Sequence, residues 1–246
     1  AKLLPIKKIE ELTLKKIKIN LTSKKINIKK NVSWVDNKMN ILIPMAGAGK
    51  RFADAGYIFP KPLIEIDNKP MIQWVIESLN FSANYIFIIQ KEHQEKYNIK
   101  SVLKILQPNC KIIELDHLTE GAACTTLLAK EYINNSDPLI IANSDQYISW
   151  NSSKALYDFN SKNLDGAILT FEAIHPKWSY AKCDKDGYVT EVAEKKVISK
   201  NATVGVYYWK HGSDYVQSAE DMIKKNIRVN NEFYVCPVYN EFLLKN

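Results

Sequence analysis

Cysteine is scarce in this chain: four in 246 residues, at positions 110, 124, 183 and 236, with no C-x-x-C pair among them. That spacing excludes a zinc ribbon or a dithiol redox motif and fits reduced, packed thiols. The four histidines are equally dispersed, so no histidine-based metal motif is present. No apolar run approaches the roughly 18 residues of a membrane span. Near the N-terminus lysines break up the apolar residues, so no signal-peptide core is expected. A cytoplasmic protein with no membrane partner is expected. Glycine is also sparse, eight in all, so the pair Gly47 and Gly49 marks a place where the backbone must do something local.

Acidic residues are nearly missing from the first 39 positions. Eleven lysines there face only Glu10, Glu11 and Asp36, a balance of +8. The whole chain carries +7, so the other 207 residues sum to −1. The basic character belongs to this extension and does not describe the surface of the body, and no nucleic-acid partner is expected. Within it Ile17, Ile19 and Leu21 alternate with polar residues, as do Ile26 and Ile28, around Thr22–Lys25. That period of two predicts a lysine-rich β-hairpin over residues 1–38, with a solvated outer face. The main domain is expected over 39–246.

From Met39 the pattern alternates. Ile41–Met45, Tyr85–Ile89, Lys111–Leu115 and Pro138–Ala142 read as strands, with a shorter one at Leu63–Ile66 before a turn at Asp67–Lys69. Between them lie helices: one opened by Pro70 with an apolar face of Met71, Ile72, Val75 and Leu79, one near His93–Leu106, and one from Gly121 through Tyr132. Strands separated by helices of this length imply right-handed crossovers. The fold class expected is α/β: a mixed, mostly parallel Rossmann-like sheet flanked by helices. Beyond Asn151, Gly166–Glu172, Tyr180–Cys183, Tyr188–Glu194 and Ala202–Trp209 have short connections and predict antiparallel additions. Helices near Ser213–Lys225 and Tyr234–Leu244 follow. Asp184-Lys185-Asp186-Gly187 begins like a calcium loop but lacks the third ligand and the distal Glu, so a hairpin turn is expected.

In such a sheet, ligands bind beyond the carboxyl ends of the strands. The first strand runs into Ala46-Gly47-Ala48-Gly49 and then two cations, Lys50 and Arg51. Small residues let successive N–H groups form an anion-binding nest, and Arg51 and Lys61 add positive charge on either side. A P-loop ending at Lys50 would need Gly at 44 and Ser or Thr at 51, where Pro44 and Arg51 stand. A dinucleotide fingerprint from Gly47 would need a small residue at 52, where Phe52 stands. At the other strand ends lie Gln90, an amide able to read a base edge, the Gly121-Ala122-Ala123 turn, and Asn143-Ser144-Asp145-Gln146. Asp145 is the natural Mg²⁺ ligand, since that ion favours one or two carboxylates with phosphate oxygens.

The remaining pattern, G-x-G-x-R from Gly47 to Arg51 and Lys61-Pro62-Leu63 ten residues on, resembles the signature of the sugar-phosphate nucleotidyltransferases and their cytidylyltransferase relatives. The resemblance covers about Met39 to the end. It implies that Ala46, Gly47, Ala48, Gly49, Lys50, Gln90, Gly121, Ala122 and Asn143 hold the nucleotide, and that Arg51 and Lys61 act on the phosphates. For Gly121 a plain helix start is the competing reading. Glu194-Lys195 and Gly205-Val206-Tyr207 resemble segments that approach the acceptor, joined by Tyr180 and Gln146; Ala181 replaces the glycine common after that tyrosine. Where relatives carry a second metal-binding aspartate this chain offers Glu232 or Asn240.

The expected activity is transfer of a nucleotidyl group from a nucleoside triphosphate to a sugar 1-phosphate or similar acceptor, assisted by Mg²⁺, for surface-polysaccharide precursors. Alternatives are a CTP-dependent cytidylyltransferase acting on a non-sugar phosphate such as phosphocholine or a phosphorylated amide, and a non-catalytic nucleotide-binding module. A glycosyltransferase would usually show Asp-x-Asp where Asn143-Ser144-Asp145 stands. A homo-oligomer is compatible with the chain.

Overall fold

The computed structural model describes residues 38–47, 49, 52 and 54–245. The expected hairpin of the lysine-rich extension lies outside them. Strand β1 (Asn40–Pro44) is flanked by β4 (Asn84–Gln90) on one side and β6 (Leu139–Ala142) on the other, both parallel to it, and β4 pairs in parallel with β5 (Lys111–Leu115). Ile41, Leu42 and Ile43 are all fully buried, Ile41 and Ile43 in one core and Leu42 in the other. A strand covered on both faces needs no polar alternation, which is why these strands read as unbroken apolar runs.

The antiparallel half follows as expected. Strands β7 (Gly166–Glu172), β8 (Ser179–Cys183), β9 (Val189–Glu194) and β10 (Asn201–Trp209) extend the sheet, β10 pairing antiparallel with β6, β7 and β8. The order across the sheet is β5-β4-β1-β6-β10-β8-β9, with β7 also on β10. The chain therefore moves outward from β1 to β5 and returns to the opposite flank of β1 as β6. That reversal is a topological switch point, and it opens a crevice beyond the carboxyl ends of β1 and β6. The turn between β8 and β9 is a hairpin in which the Asp184 carboxylate accepts from the N–H groups of Asp186 and Tyr188.

Several boundaries differ from expectation for identifiable reasons. Lys61–Leu63 forms a 3₁₀ turn, favoured by Pro62, and the paired strand is confined to Glu65–Ile66 (β2). It pairs with β3 (Lys69–Pro70) around Asp67 and Asn68, both at positive φ, as a two-residue hairpin of the primed type demands. Helix α1 (Met71–Leu79) buries the expected face. The single helix expected near His93–Leu106 is two, α2 (Lys91–Tyr97) and α3 (Ile99–Leu106), because Asn98 adopts φ 49° and ends the first. The break turns Ile99 and Leu103 into the core, whereas α2 buries no residue.

The helix from Gly121 likewise divides into α4 (Ala122–Leu127) and α5 (Lys130–Ile133). Helix α6 (Ser152–Ser161), not anticipated, is capped by Asn151, whose side chain accepts from the Lys154 N–H. It covers β10 by stacking Phe159 on Tyr208, centroids 4.6 Å apart. After α7 (Gly212–Lys224), the last helix α8 is confined to Val238–Leu243. Asn230 and Asn231 at positive φ keep the preceding segment out of it. Among the described residues no helix is long and apolar enough to cross a membrane.

Candidate active site

The loop after β1 stays attached to the sheet through Met45 N–H, which donates to Ile88 O at 2.9 Å. At the end of β4, the Gln90 amide donates to the carbonyls of Ala46 and Gly47 at 2.9 and 3.0 Å. Gln90 thus orients the loop; both contacts use its amide nitrogen, the donor that base reading would have needed. Gly49 takes φ 59° with open space where a side chain would stand, so its requirement is conformational. Ala48, Lys50 and Arg51 lie outside the described residues. Behind the loop a cavity of about 150 Å³ is lined by Gly47, Gly49, Phe52, Lys61, His93 and Tyr97.

Lys61 and Asp145, 84 positions apart in sequence, form an ion pair through Lys61 Nζ and Asp145 Oδ2. The 3₁₀ turn presents the lysine; the end of β6 presents the aspartate. Both side chains are about 30% exposed. A pair so wet contributes on the order of 0–1 kcal/mol to stability, so its value lies in where it puts the charges. A ligand phosphate that meets one group meets the other. Lys61 Nζ also sits 5.4 Å from the Phe52 ring centroid.

Strand β10 supplies the floor beside Asp145. Its register with β7 shifts between Thr203 and Tyr207, and in that irregularity Gly205 adopts φ 79° and accepts from Asn143 N–H at 2.9 Å. A Cβ at 205 would stand 2.2 Å from Asn143 Nδ2 and 2.8 Å from Gln146 Nε2. The glycine lets β10 lie directly against the segment that carries Asp145. Asn143, Gln146 and Gly205, expected from different halves of the chain, therefore meet.

The far wall is a loop over 226–236. Gly121, at φ 133°, faces the backbone of Phe233, where an added Cβ would come within 2.5 Å. Ala123 N–H donates to Phe233 O, and Phe233 N–H to Glu120 O. Arg228 pairs with Glu120 and packs on the Phe233 ring, 4.2 Å from its centroid. The space beside Gly121 is thus taken by protein backbone, while Ala122 begins α4 behind it.

The same loop brings Tyr234 to Lys195, whose ammonium donates to the tyrosine hydroxyl and lies 4.3 Å from the ring centroid. Glu232 lies near the same tyrosine. Glu194, at the end of β9, accepts from the Ser179 hydroxyl, and burial raises its carboxyl above the usual carboxylate range.

Two expected site residues are committed elsewhere. Tyr180 is fully buried and donates its hydroxyl to His175 O at 2.8 Å, so it is a core side chain. Asn240 uses both ends of its amide on the Val192 backbone, at 2.9 Å each, which ties its side chain to β9. Among the described residues no group of three or more His, Cys, Asp or Glu side chains gathers to hold an ion. Asp145 follows the end of β6, at the carboxyl edge of the parallel strands. Ser179 and Tyr234 were missed. For Ser179 a signal existed: counting back from the Asp184–Gly187 turn sets it within two residues of the position opposite Glu194, on the same face of the strand.

The curated relatives agree with this geometry in what they are called. The chain is 27% identical over 207 residues to the bifunctional protein GlmU of Thermosipho melanesiensis, covering 81% of this chain and 43% of that protein. It is 25% identical over 188 residues to the mannose-1-phosphate guanyltransferase of Aspergillus oryzae, covering 69% of this chain and 49% of the relative. The chain thus spans about half the length of the curated relatives it matches. Among solved structures, a nucleoside-diphosphate-sugar pyrophosphorylase from Vibrio cholerae superposes with a TM-score of 0.71 at 26% identity, over 83% of this chain and 88% of that one. A UDP-glucose pyrophosphorylase complexed with UDP-glucose gives 0.66 at 17% identity, over 85% and 88%, and shares the fold. The model of the family described as Nucleotidyl transferase matches residues 41–234, and the chain belongs to that family.

Proposed function

We propose that this protein transfers a nucleotidyl group from a nucleoside triphosphate to a phosphorylated small-molecule acceptor, releasing pyrophosphate. The observation that carries this reading is the meeting of Lys61 and Asp145 at the switch-point crevice, beside a small-residue loop suited to phosphate. An acceptor phosphate oxygen attacks the α-phosphorus in line; the bond from that phosphorus to the bridging oxygen breaks, and pyrophosphate leaves with the electron pair. No protein nucleophile is needed, so the chain contributes position and charge. The backbone N–H groups of the 46–49 loop hold the triphosphate, with Gln90 fixing the loop. Lys61 spans the α-phosphate and the acceptor phosphate, and Arg51 stabilises the departing pyrophosphate.

The donor set suits magnesium, which takes one or two carboxylates and completes its shell with phosphate oxygens and water. Asp145 would hold it, and the ion when bound would offset phosphate charge.

A sugar 1-phosphate is the first acceptor class, supported by relatives named for mannose 1-phosphate and UDP-glucose. Nucleotide sugars of that kind would feed surface-polysaccharide assembly. One observation favours a second reading, a cytidylyltransferase for a non-sugar phosphate. The Gln146 amide lies against Gly205, on the strand expected to line the acceptor, and offers both a donor and an acceptor there. Pyrophosphate release measured with each triphosphate against a panel of sugar 1-phosphates and phosphorylated amines and amides decides between them. Triphosphate binding without release under every acceptor would refute both in favour of a binding module.

A further inference from the structure

We propose that Ser179 is a positioning residue for acceptor recognition, its hydroxyl fixing the Glu194 carboxylate by a direct hydrogen bond. The proposal rests on the nucleotidyl-transfer reading above.

Topology puts this pair at the acceptor end. Val206 on β10 pairs with Ala142, the last residue of β6, so residues 201–205 of β10 run past the carboxyl edge of the parallel strands. Strand β8 joins that projecting part through Ala202 and Tyr180, and Ser179 on β8 stands opposite Glu194 on β9. Both side chains are half-buried beyond the edge where Asn143 and Gly205 meet.

A carboxylate can only accept hydrogen bonds, and a half-buried one needs a donor to hold it in one orientation. The adjacent Lys195 ammonium is directed to Tyr234. Ser179 is the donor that faces Glu194. The serine has one proton to give, and its hydrogen bond to Glu194 uses it. The Tyr207 hydroxyl and the Cys236 thiol are nearly fully buried and kept protonated by that burial. Tyr207 is held in turn by Thr203, oxygen to oxygen 3.0 Å. A carboxylate locked this way is an acceptor fixed for hydroxyl or amino protons on the incoming phosphorylated molecule, and Glu194 touches that molecule only through the geometry Ser179 sets.

The test is steady-state pyrophosphate release by the full chain, varying acceptor at saturating triphosphate and then the reverse. Ser179→Ala is expected to raise the acceptor KM about tenfold, the worth of one lost hydrogen bond to a charged group, with kcat and the triphosphate KM near wild type. Ser179→Thr, which keeps the hydroxyl, is expected to restore the acceptor KM. Glu194→Gln is expected to show the acceptor defect by itself, and Ser179→Ala added to it should change little further. An active wild type whose acceptor KM is untouched by Ser179→Ala, or a variant that loses both KM values and kcat together without rescue by threonine, overturns the proposal alone. A wild type that releases no pyrophosphate with any acceptor overturns the nucleotidyl-transfer reading and this one with it.

Discussion

Gly205→Ala separates backbone strain from site geometry. A side chain at φ 79° is strained whatever its surroundings, at about 1–3 kcal/mol. For a domain of this size each kcal/mol moves Tm by roughly 2–4 °C, so a fall of about 2–12 °C is expected. Position 205 adds a second effect. The new methyl would stand 2.2 Å from Asn143 Nδ2, and ordinary contact begins near 3.4 Å, so the amide must retreat by more than 1 Å. Asn143 lies two residues before Asp145, and a displacement of about 1 Å in a positioned group costs on the order of 10² in rate. Gly187→Ala is the control: its φ is 89°, yet nothing lies within 4 Å of the added methyl. Thermal melts and pyrophosphate-release kinetics on both variants should show similar losses of Tm but a fall in kcat/KM of about 100-fold only for Gly205→Ala. Equal melting losses with intact turnover in both variants would refute the claim that Gly205 sets the geometry of the Asn143–Gln146 segment for catalysis.

Gln90→Ala removes two hydrogen bonds to the loop carbonyls and should raise the triphosphate KM about tenfold with little change in Tm; an unchanged KM counts against its loop-orienting role. Asn240→Ala strips the partners from a buried backbone N–H and C=O at Val192 and should cost about 2–4 kcal/mol by denaturant unfolding. Its magnesium dependence should be unaltered, and a loss of apparent metal affinity with normal stability would restore it as a ligand. Burial pushes the Cys236 thiol up to about 12, so it stays protonated near pH 8. Alkylation followed by mass spectrometry should label the half-buried Cys183 well before Cys236, and equal labelling of the native protein would contradict that placement.

The parallel half of the sheet was legible because strands buried on both faces leave runs such as Tyr85–Ile89 that no other element explains. The hairpin turns were legible from Asp, Asn and Gly at positions that need positive φ. Helix breaks were less so, since an asparagine such as Asn98 can sit within a helix or end one in the left-handed region, and the sequence does not say which. Helix α6 carries little amphipathic signal beyond Leu156 and Phe159, and its cap at Asn151 reads as one more loop residue. In the site, the meeting of Lys61 with Asp145 followed from strand ends sharing one edge. The duties of Gln90, Tyr180 and Asn240 did not, because each is decided by a partner more than 40 residues away or by burial. Tyr180 shows the limit: burial, invisible in a motif, turned an expected pocket residue into core.

The central claim is that the Lys61–Asp145 pair is the reaction centre, and a double-mutant cycle on pyrophosphate release tests it most directly. Lys61→Ala and Asp145→Asn should each lower kcat/KM by about 10²–10³, the scale of one lost preorganised charge contact. The double variant should fall much less than the product of the two, because groups acting on the same phosphates are not additive. Melting temperatures should stay close to wild type, as the exposure of the pair implies. Near-normal turnover by Lys61→Ala, or losses that simply multiply, would contradict the account.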